Sequence, residues 1–173
     1  MSIKVENIYT ILSNHFSLKL KQIMNFAQTG YLFEEWINWE IFTAFEKKDF
    51  KIYPRPTYNR YFHNKNTRIQ GDILCEKDNE QIFIEVGLIH TYTKNKWLKK
   101  LTKDRDKLKN QTPSSNKNIR KVQLIISCST CEKNLKENWL PWYNNLNFWN
   151  QPAQEIILNQ GVNGEAFIKI WDV

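Results

Sequence analysis

Two carboxylates stand out because their neighbours are apolar. Asp72 sits in GDILC and Glu85 in FIEVG. Burying an ionised carboxylate in such surroundings is costly unless it is paired, hydrogen-bonded or metal-bound. Two of them converging from adjacent strands make an oxygen site for a hard divalent cation. Mg²⁺ takes one or two protein carboxylates and completes its shell with water and phosphate oxygens, and a cation held there activates water and neutralises charge at phosphorus. The plainer alternative for Asp72, which follows Gly71, is a turn or cap residue. For Glu85 it is a solvent-facing strand position. Cys128 and Cys131 form a CxxC that fits a redox pair or half a zinc site. No second CxxC or HxxxH accompanies it, so ordinary semi-buried cysteines are the simpler reading.

The elements that must position the carboxylates follow from periodicity. RIQGDILCE and EQIFIEVGLI predict two strands joined by KDN as a hairpin. In the second, Phe83, Glu85 and Gly87 share one face, and Ile82, Ile84, Val86 and Leu88 the other. Upstream, residues 4–13 and 17–28 predict short amphipathic helices. A longer helix is expected from an N-cap at Thr29 to about Lys48, with Leu32, Trp36, Trp39 and Phe42 as its buried stripe. FKIYPRPTY predicts an edge strand, because proline lacks an amide donor. A helix from about Lys94 to Asn110 carries Trp97, Leu101, Asp104 and Leu108 on one face, so Asp104 is expected to accept a buried hydrogen bond or ion pair. KVQLIISC predicts a central strand covered on both faces. After the aromatic ENWLPWYNNLNFW, QEIILNQ and EAFIKIWDV predict final strands. The order α–β–β–β–α–β indicates an α/β domain, with a mixed central sheet flanked by helices.

Composition narrows the classes. The 173 residues suit a single domain, and 41% hydrophobic with 14% aromatic residues argue against disorder. No run of 18 apolar residues suggests a membrane span, and the N-terminus lacks signal-peptide features; no membrane association is expected, and the cytoplasm is the default location. The net charge of +7 favours a polyanionic partner. Residues 94–109 hold eight basic against two acidic side chains, which makes Lys96, Lys99, Lys100 and Lys103 candidates for phosphate contacts. In RPTYNRYFHNKNTR, Arg55, Arg60, Lys65 and Arg68 alternate with Tyr58, Tyr61 and Phe62, a mixture suited to phosphate contact and base stacking. The bland readings are a solvated helix face and a surface loop.

A helix with Glu34 and Glu35, then Asp72, then Glu85 in a strand, then the KWLKKLTKDRDKL helix and the strand VQLIISC resemble the PD-(D/E)XK nuclease superfamily over about residues 29 to 128. The resemblance implies a restriction-endonuclease-like αβββαβ core, preceded by a helical extension (1–28) and followed by a C-terminal helix and strands (129–173). It implies that Asp72 and Glu85 bind Mg²⁺ or Mn²⁺, joined by Glu34 or Glu35. The G-x-x-x-E spacing from Gly30 favours Glu34, and Glu35 stays open. The implied activity is hydrolysis of DNA, or alternatively RNA, by an endonuclease, in its familiar restriction-type form a homodimer. Segment 139–149 is a candidate for that interface, or for more core. The superfamily's lysine two residues after the glutamate is here Gly87. Lys94 or Lys96 reaching the same space would replace it. The competing expectation is a catalytically inactive module of the same fold that binds nucleic acid or, like an immunity protein, another protein.

Overall fold

The computed structural model describes residues 3–63, 68–90, 97–129, 154–161 and 164–173. Lys65, Lys94, Lys96, Cys131 and the aromatic segment 139–149 lie outside the described residues. Three helices open the chain: α1 (Val5–Ser17), α2 (Leu20–Thr29) and α3 (Glu34–Glu46). Thr29 closes α2 rather than capping α3, which corrects the expected boundary. The cause is Gly30, left-handed at φ 74°, the conformation that commonly ends a helix and that glycine adopts without a Cβ clash.

The buried stripe of α3 also differs from expectation. Ile37, Ile41, Ala44 and Phe45 face inward, whereas Leu32 is 71% and Trp39 55% exposed. Trp39 lies two residues from Ile37, about 200° around the helix, so both stripes cannot face the sheet. Ile37, Ile41, Ala44 and Phe45 pack there; of the expected stripe, Trp36 is half-buried against Phe26 and Phe33 beside the core, and Trp39 is left to the rim. Helix α1 docks on α3 through His15 Nε2, 2.6 Å from Glu40 Oε2, with Lys19 Nζ 3.3 Å from the other oxygen.

Among the described residues, six strands form one mixed sheet in the order β1-β2-β3-β4-β6-β5. Strand β1 (Lys51–Pro54) is an edge, as its prolines require. Strands β2 (Ile73–Lys77) and β3 (Glu80–Ile89) form the expected hairpin, with Ile73 opposite Ile84. Helix α4 (Trp97–Lys109) crosses to β4 (Asn118–Ser129), which runs parallel to β3. Strands β5 (Gln154–Gly161) and β6 (Gly164–Asp172) add the far edge, antiparallel. Helices α1 to α3 cover one face over a core that includes Ile82, Ile84, Val86 and Leu88. Helix α4 covers the other, where Tyr58, Phe62, Leu74, Phe83 and Leu108 cluster. The alternation read from β3 therefore holds.

From Arg55 to His63 the chain is not an open stacking loop. A 3-10 turn at Tyr58–Arg60 folds it inward, and Tyr58 and Phe62 are fully buried against Phe83. Only Tyr61 keeps partial exposure. Arg60 and Arg68 remain on the surface. Among the described residues, no helix is long and apolar enough to cross a membrane.

The two stripes of α3 make opposite predictions. Ile41→Ala should lower unfolding stability by about 2–5 kcal/mol, whereas Trp39→Ala should stay within about 0.5 kcal/mol. Urea titrations of both variants check the inward stripe; equal losses would refute it.

Candidate functional site

The site forms where β2 stops and β3 continues. Because β2 begins at Ile73, opposite Ile84, β3 beyond Glu85 has no strand on that side. Backbone groups left unpaired in a protein interior are costly. Three charged side chains satisfy them. Asp72 Oδ2 accepts from the Val86 amide at 2.7 Å, Glu34 Oε2 from the Leu88 amide at 3.4 Å, and Lys100 Nζ donates to the Val86 carbonyl at 2.6 Å. Asp72, Glu34 and an α4 lysine thus meet at one strand edge.

Glu85 stands beneath them on the α4 side, 1% exposed. Tyr58 donates its hydroxyl to Oε1, and the Lys107 ammonium pairs with Oε2. Burial pushes the Glu85 carboxyl up to about 8; Asp72 adds to the rise, and Lys107 and Tyr58 oppose it. Tyr58 can reach Glu85 because residue 71 has no side chain: a Cβ on Gly71 would lie 2.5 Å from the tyrosine ring. Burial, with Glu85 beside it, keeps that hydroxyl protonated.

Asp104 joins the two lysines. Its oxygens lie 3.2 Å from Lys100 Nζ and 3.5 Å from Lys107 Nζ, and Lys100 in turn lies 3.2 Å from Glu34 Oε2. A chain of alternating charge results: Glu34, Lys100, Asp104, Lys107, Glu85, ending on the Tyr58 hydroxyl. The buried ion pair expected of Asp104 is therefore a bridge between two cations. Burial raises the Glu34 carboxyl, with Lys100 opposing and Asp72 adding. Burial works against the charge of Lys100, but Glu34, Asp104 and Asp72 outweigh it, and the ammonium is raised.

Gly87 now has a packing cause. A Cβ there would stand 2.5 Å from Leu101 Cδ2, and Leu101 is wholly buried. Helix α4 lies so close to β3 that a side chain at 87 would have to displace the Leu101 methyl group. The same closeness brings Lys100, the residue before Leu101, to the carbonyl of the residue before Gly87.

The remaining site candidates divide. Glu35 turns to the surface and pairs with Arg55 at 3.2 Å, so it is Glu34 that joins Asp72. Lys99 and Lys103 are exposed on α4, free to meet phosphates, whereas Lys100 is half-buried in the charge chain. Cys128 is buried within β4, and burial pushes its thiol up to about 12, the reverse of a reactive thiolate. Tyr58, expected as a stacking aromatic, and Lys107, one of the basic residues of the helix, instead hold Glu85. Lys100, Asp104 and Lys107 do lie at i, i+4 and i+7 beside Leu101 and Leu108, a helical signal; nothing local links Tyr58 to Glu85.

Glu34 and Asp72 line one pocket of about 180 Å³ together with Glu35, Trp39 and Arg55. Among the described residues, no three His, Cys, Asp or Glu side chains form a group able to hold a metal ion. Two carboxylates suffice for Mg²⁺, and the Asp72–Glu34 pair fits by donor chemistry and by its place on the pocket. The expected Asp72–Glu85 pair fits less well, because Lys107 and Tyr58 occupy both Glu85 oxygens. Comparison with family models, curated proteins and solved structures finds no match to this chain.

Two outcomes follow. Gly87→Ala should cost about 1–3 kcal/mol through overpacking against Leu101, read by urea denaturation; an unchanged midpoint would contradict the close approach of α4. The second concerns pH. Glu85 has a folded value raised from 4.5 to about 8, so the folded state holds the extra proton between those limits, and the stability contributed by this group falls as pH rises through the window. Glu85→Gln cannot titrate. In EDTA, its stability relative to the natural protein should climb from pH 4.5 to 8, and a flat difference would refute the raised value.

Proposed function

We propose that the domain hydrolyses phosphodiester bonds of nucleic acid, with DNA as the expected substrate, as a divalent-metal-dependent endonuclease of the PD-(D/E)XK kind. The observation that carries this reading is the Lys100 ammonium, 2.6 Å from the Val86 carbonyl and 3.2 Å from Glu34, beside the glycine that replaces the superfamily's lysine. Lys100 then takes the role of that lysine. Further support comes from the chain order α3–β1–β2–β3–α4–β4, with β1 to β3 antiparallel and β3 to β4 parallel. It is the αβββαβ order that the resemblance implies. The cytoplasm is the compartment this reading assigns.

Asp72 and Glu34 are the residues that would hold Mg²⁺ or Mn²⁺, with Glu85 able to join them where Lys107 yields. Such a cation supplies an activated water and charge neutralisation at phosphorus. The chain's own groups do the rest. Lys100 stays protonated, because three carboxylates raise it; it therefore serves as a fixed positive charge that orients an attacking water or steadies a phosphoryl oxygen, not as a base. Glu85 keeps Lys107 and, through Asp104, the second lysine in register. Lys99 and Lys103 extend the positive surface along α4 for backbone contact.

The occupancy of both Glu85 oxygens favours one second reading, a domain of the same architecture that binds nucleic acid without cutting it. A cleavage assay on single-stranded and duplex DNA with Mg²⁺ or Mn²⁺ separates the two. Expected are metal-dependent cutting by the natural protein, a loss of at least about a hundredfold in Lys100→Ala, partial retention in Lys100→Arg, and no cutting by Asp72→Asn. Equal behaviour of the natural protein and Asp72→Asn would leave only the binding reading.

A further inference from the structure

The pocket beside Asp72 is more than an approach to the carboxylates. Its outer wall is aromatic: Trp39, 55% exposed, and Phe42 stand with ring centroids 5.7 Å apart and planes inclined by 54°. Next to Trp39, Asn38 lines the same pocket, and its Oδ1 is buried with no hydrogen-bond partner among the described residues. Opposite lies Arg55, whose exposed guanidinium has only a surface ion pair with Glu35, an interaction that water screens and that exchanges cheaply. An exposed tryptophan face, an acceptor lacking a donor and an exchangeable guanidinium share one cavity of about 180 Å³.

Each feature calls for a different part of one ligand. An exposed indole face gains by stacking a planar ring. The Asn38 amide lines the cavity, and a small rotation of that side chain would turn its partnerless oxygen toward a donor there. A surface guanidinium beside a pocket matches a phosphate oxygen. A nucleotide provides all three through its ring, its edge N–H groups and its phosphate. Within a duplex, however, both faces of a base are stacked and its edge is paired, so only an unpaired nucleotide can enter.

We infer that this pocket is a nucleobase subsite that takes one unpaired nucleotide, its ring on Trp39, its edge on Asn38 and its phosphate on Arg55, next to the Asp72 site. The inference rests on the nucleic-acid reading above and deepens it: the strand is handled single-stranded, at a loop, a frayed end or a displaced segment.

The test is binding without cleavage. Fluorescence anisotropy in EDTA is read with labelled single-stranded DNA, single-stranded RNA of the same sequence, and the DNA duplex, for the natural protein, Trp39→Ala and Trp39→Phe. Trp39 is surface-exposed, so both variants should melt with the natural protein. Trp39→Ala should weaken single-strand binding roughly tenfold or more, Trp39→Phe should recover most of it, and duplex binding should not move. The two single strands tell which sugar the subsite accepts. Unchanged single-strand affinity in Trp39→Ala overturns the subsite, as does an equal loss on the duplex. Because no metal is present, the result is independent of hydrolysis. A tryptophan-dependent single-strand preference in a protein that never cuts sustains the subsite and removes the nuclease reading. Cutting by a protein whose Trp39→Ala variant binds single strands normally does the reverse.

Discussion

The structure turns on a carboxylate buried where water cannot reach it. Glu85 is central in the sheet and 1% exposed, and an uncompensated charge there would cost several kcal/mol. Its two supports arrive from opposite ends of the chain segment. Tyr58 comes over Gly71, and Lys107 hangs from the last turn of α4. Once those are fixed, little else is free. Lys107 fixes Asp104, Asp104 fixes Lys100, and Lys100 with Asp72 and Glu34 closes the backbone groups that β2 leaves open on β3.

Two glycines set the spacing of that arrangement, and neither acts through backbone freedom. Gly71 makes room for a tyrosine ring, and Gly87 makes room for Leu101. The second bears on chemistry. With Leu101 where it stands, a side chain on β3 at position 87 would first meet its terminal methyl group, so a lysine there requires Leu101 to move. With α4 drawn in, the ammonium comes from the helix instead. On the proposed reading, the glycine on the strand and the ammonium from the helix are thus two consequences of a single packing choice.

Much of the sheet was legible in the sequence, for plain reasons. The β2–β3 hairpin is set by alternation and by a short polar turn, β1 by its prolines, and β4 by an unbroken apolar run that only a strand with neighbours on both sides needs. The helical part was less legible. In α3 two stripes with the same spacing compete, and periodicity has no means of choosing Ile37 and Ile41 over Leu32 and Trp39; contact with the sheet chooses. Gly30 was read as part of a helix when its left-handed turn ends one. Within the site, Asp72 and Glu85 announced themselves by apolar neighbours. Lys100 was one basic residue among eight in the segment, and Tyr58 looked like a surface aromatic. Their roles come from tertiary register, which no local pattern encodes.

Asp72, Glu34 and Lys100 are explained in part by strand geometry alone, since an edge that outruns its neighbour must be capped. That explanation is insufficient for the residue types. A serine or asparagine could accept from an amide or donate to a carbonyl without introducing charge, and neutral caps avoid the desolvation that burial imposes on ions. Here the caps are two carboxylates and an ammonium, half-exposed toward a pocket, with a third carboxylate and a second ammonium behind them. Burial raises the carboxyls of both Glu34 and Glu85, with Asp72 adding to each rise and the lysines opposing it, so the group keeps its charges at a cost. Clusters that sacrifice stability in this way are characteristic of sites selected for what they bind or move. An aromatic wall and an unsatisfied amide oxygen on the same cavity point the same way. The strand edge accounts for where these side chains are, and the proposed ligand, with its phosphate and cation chemistry, would account for why they are charged.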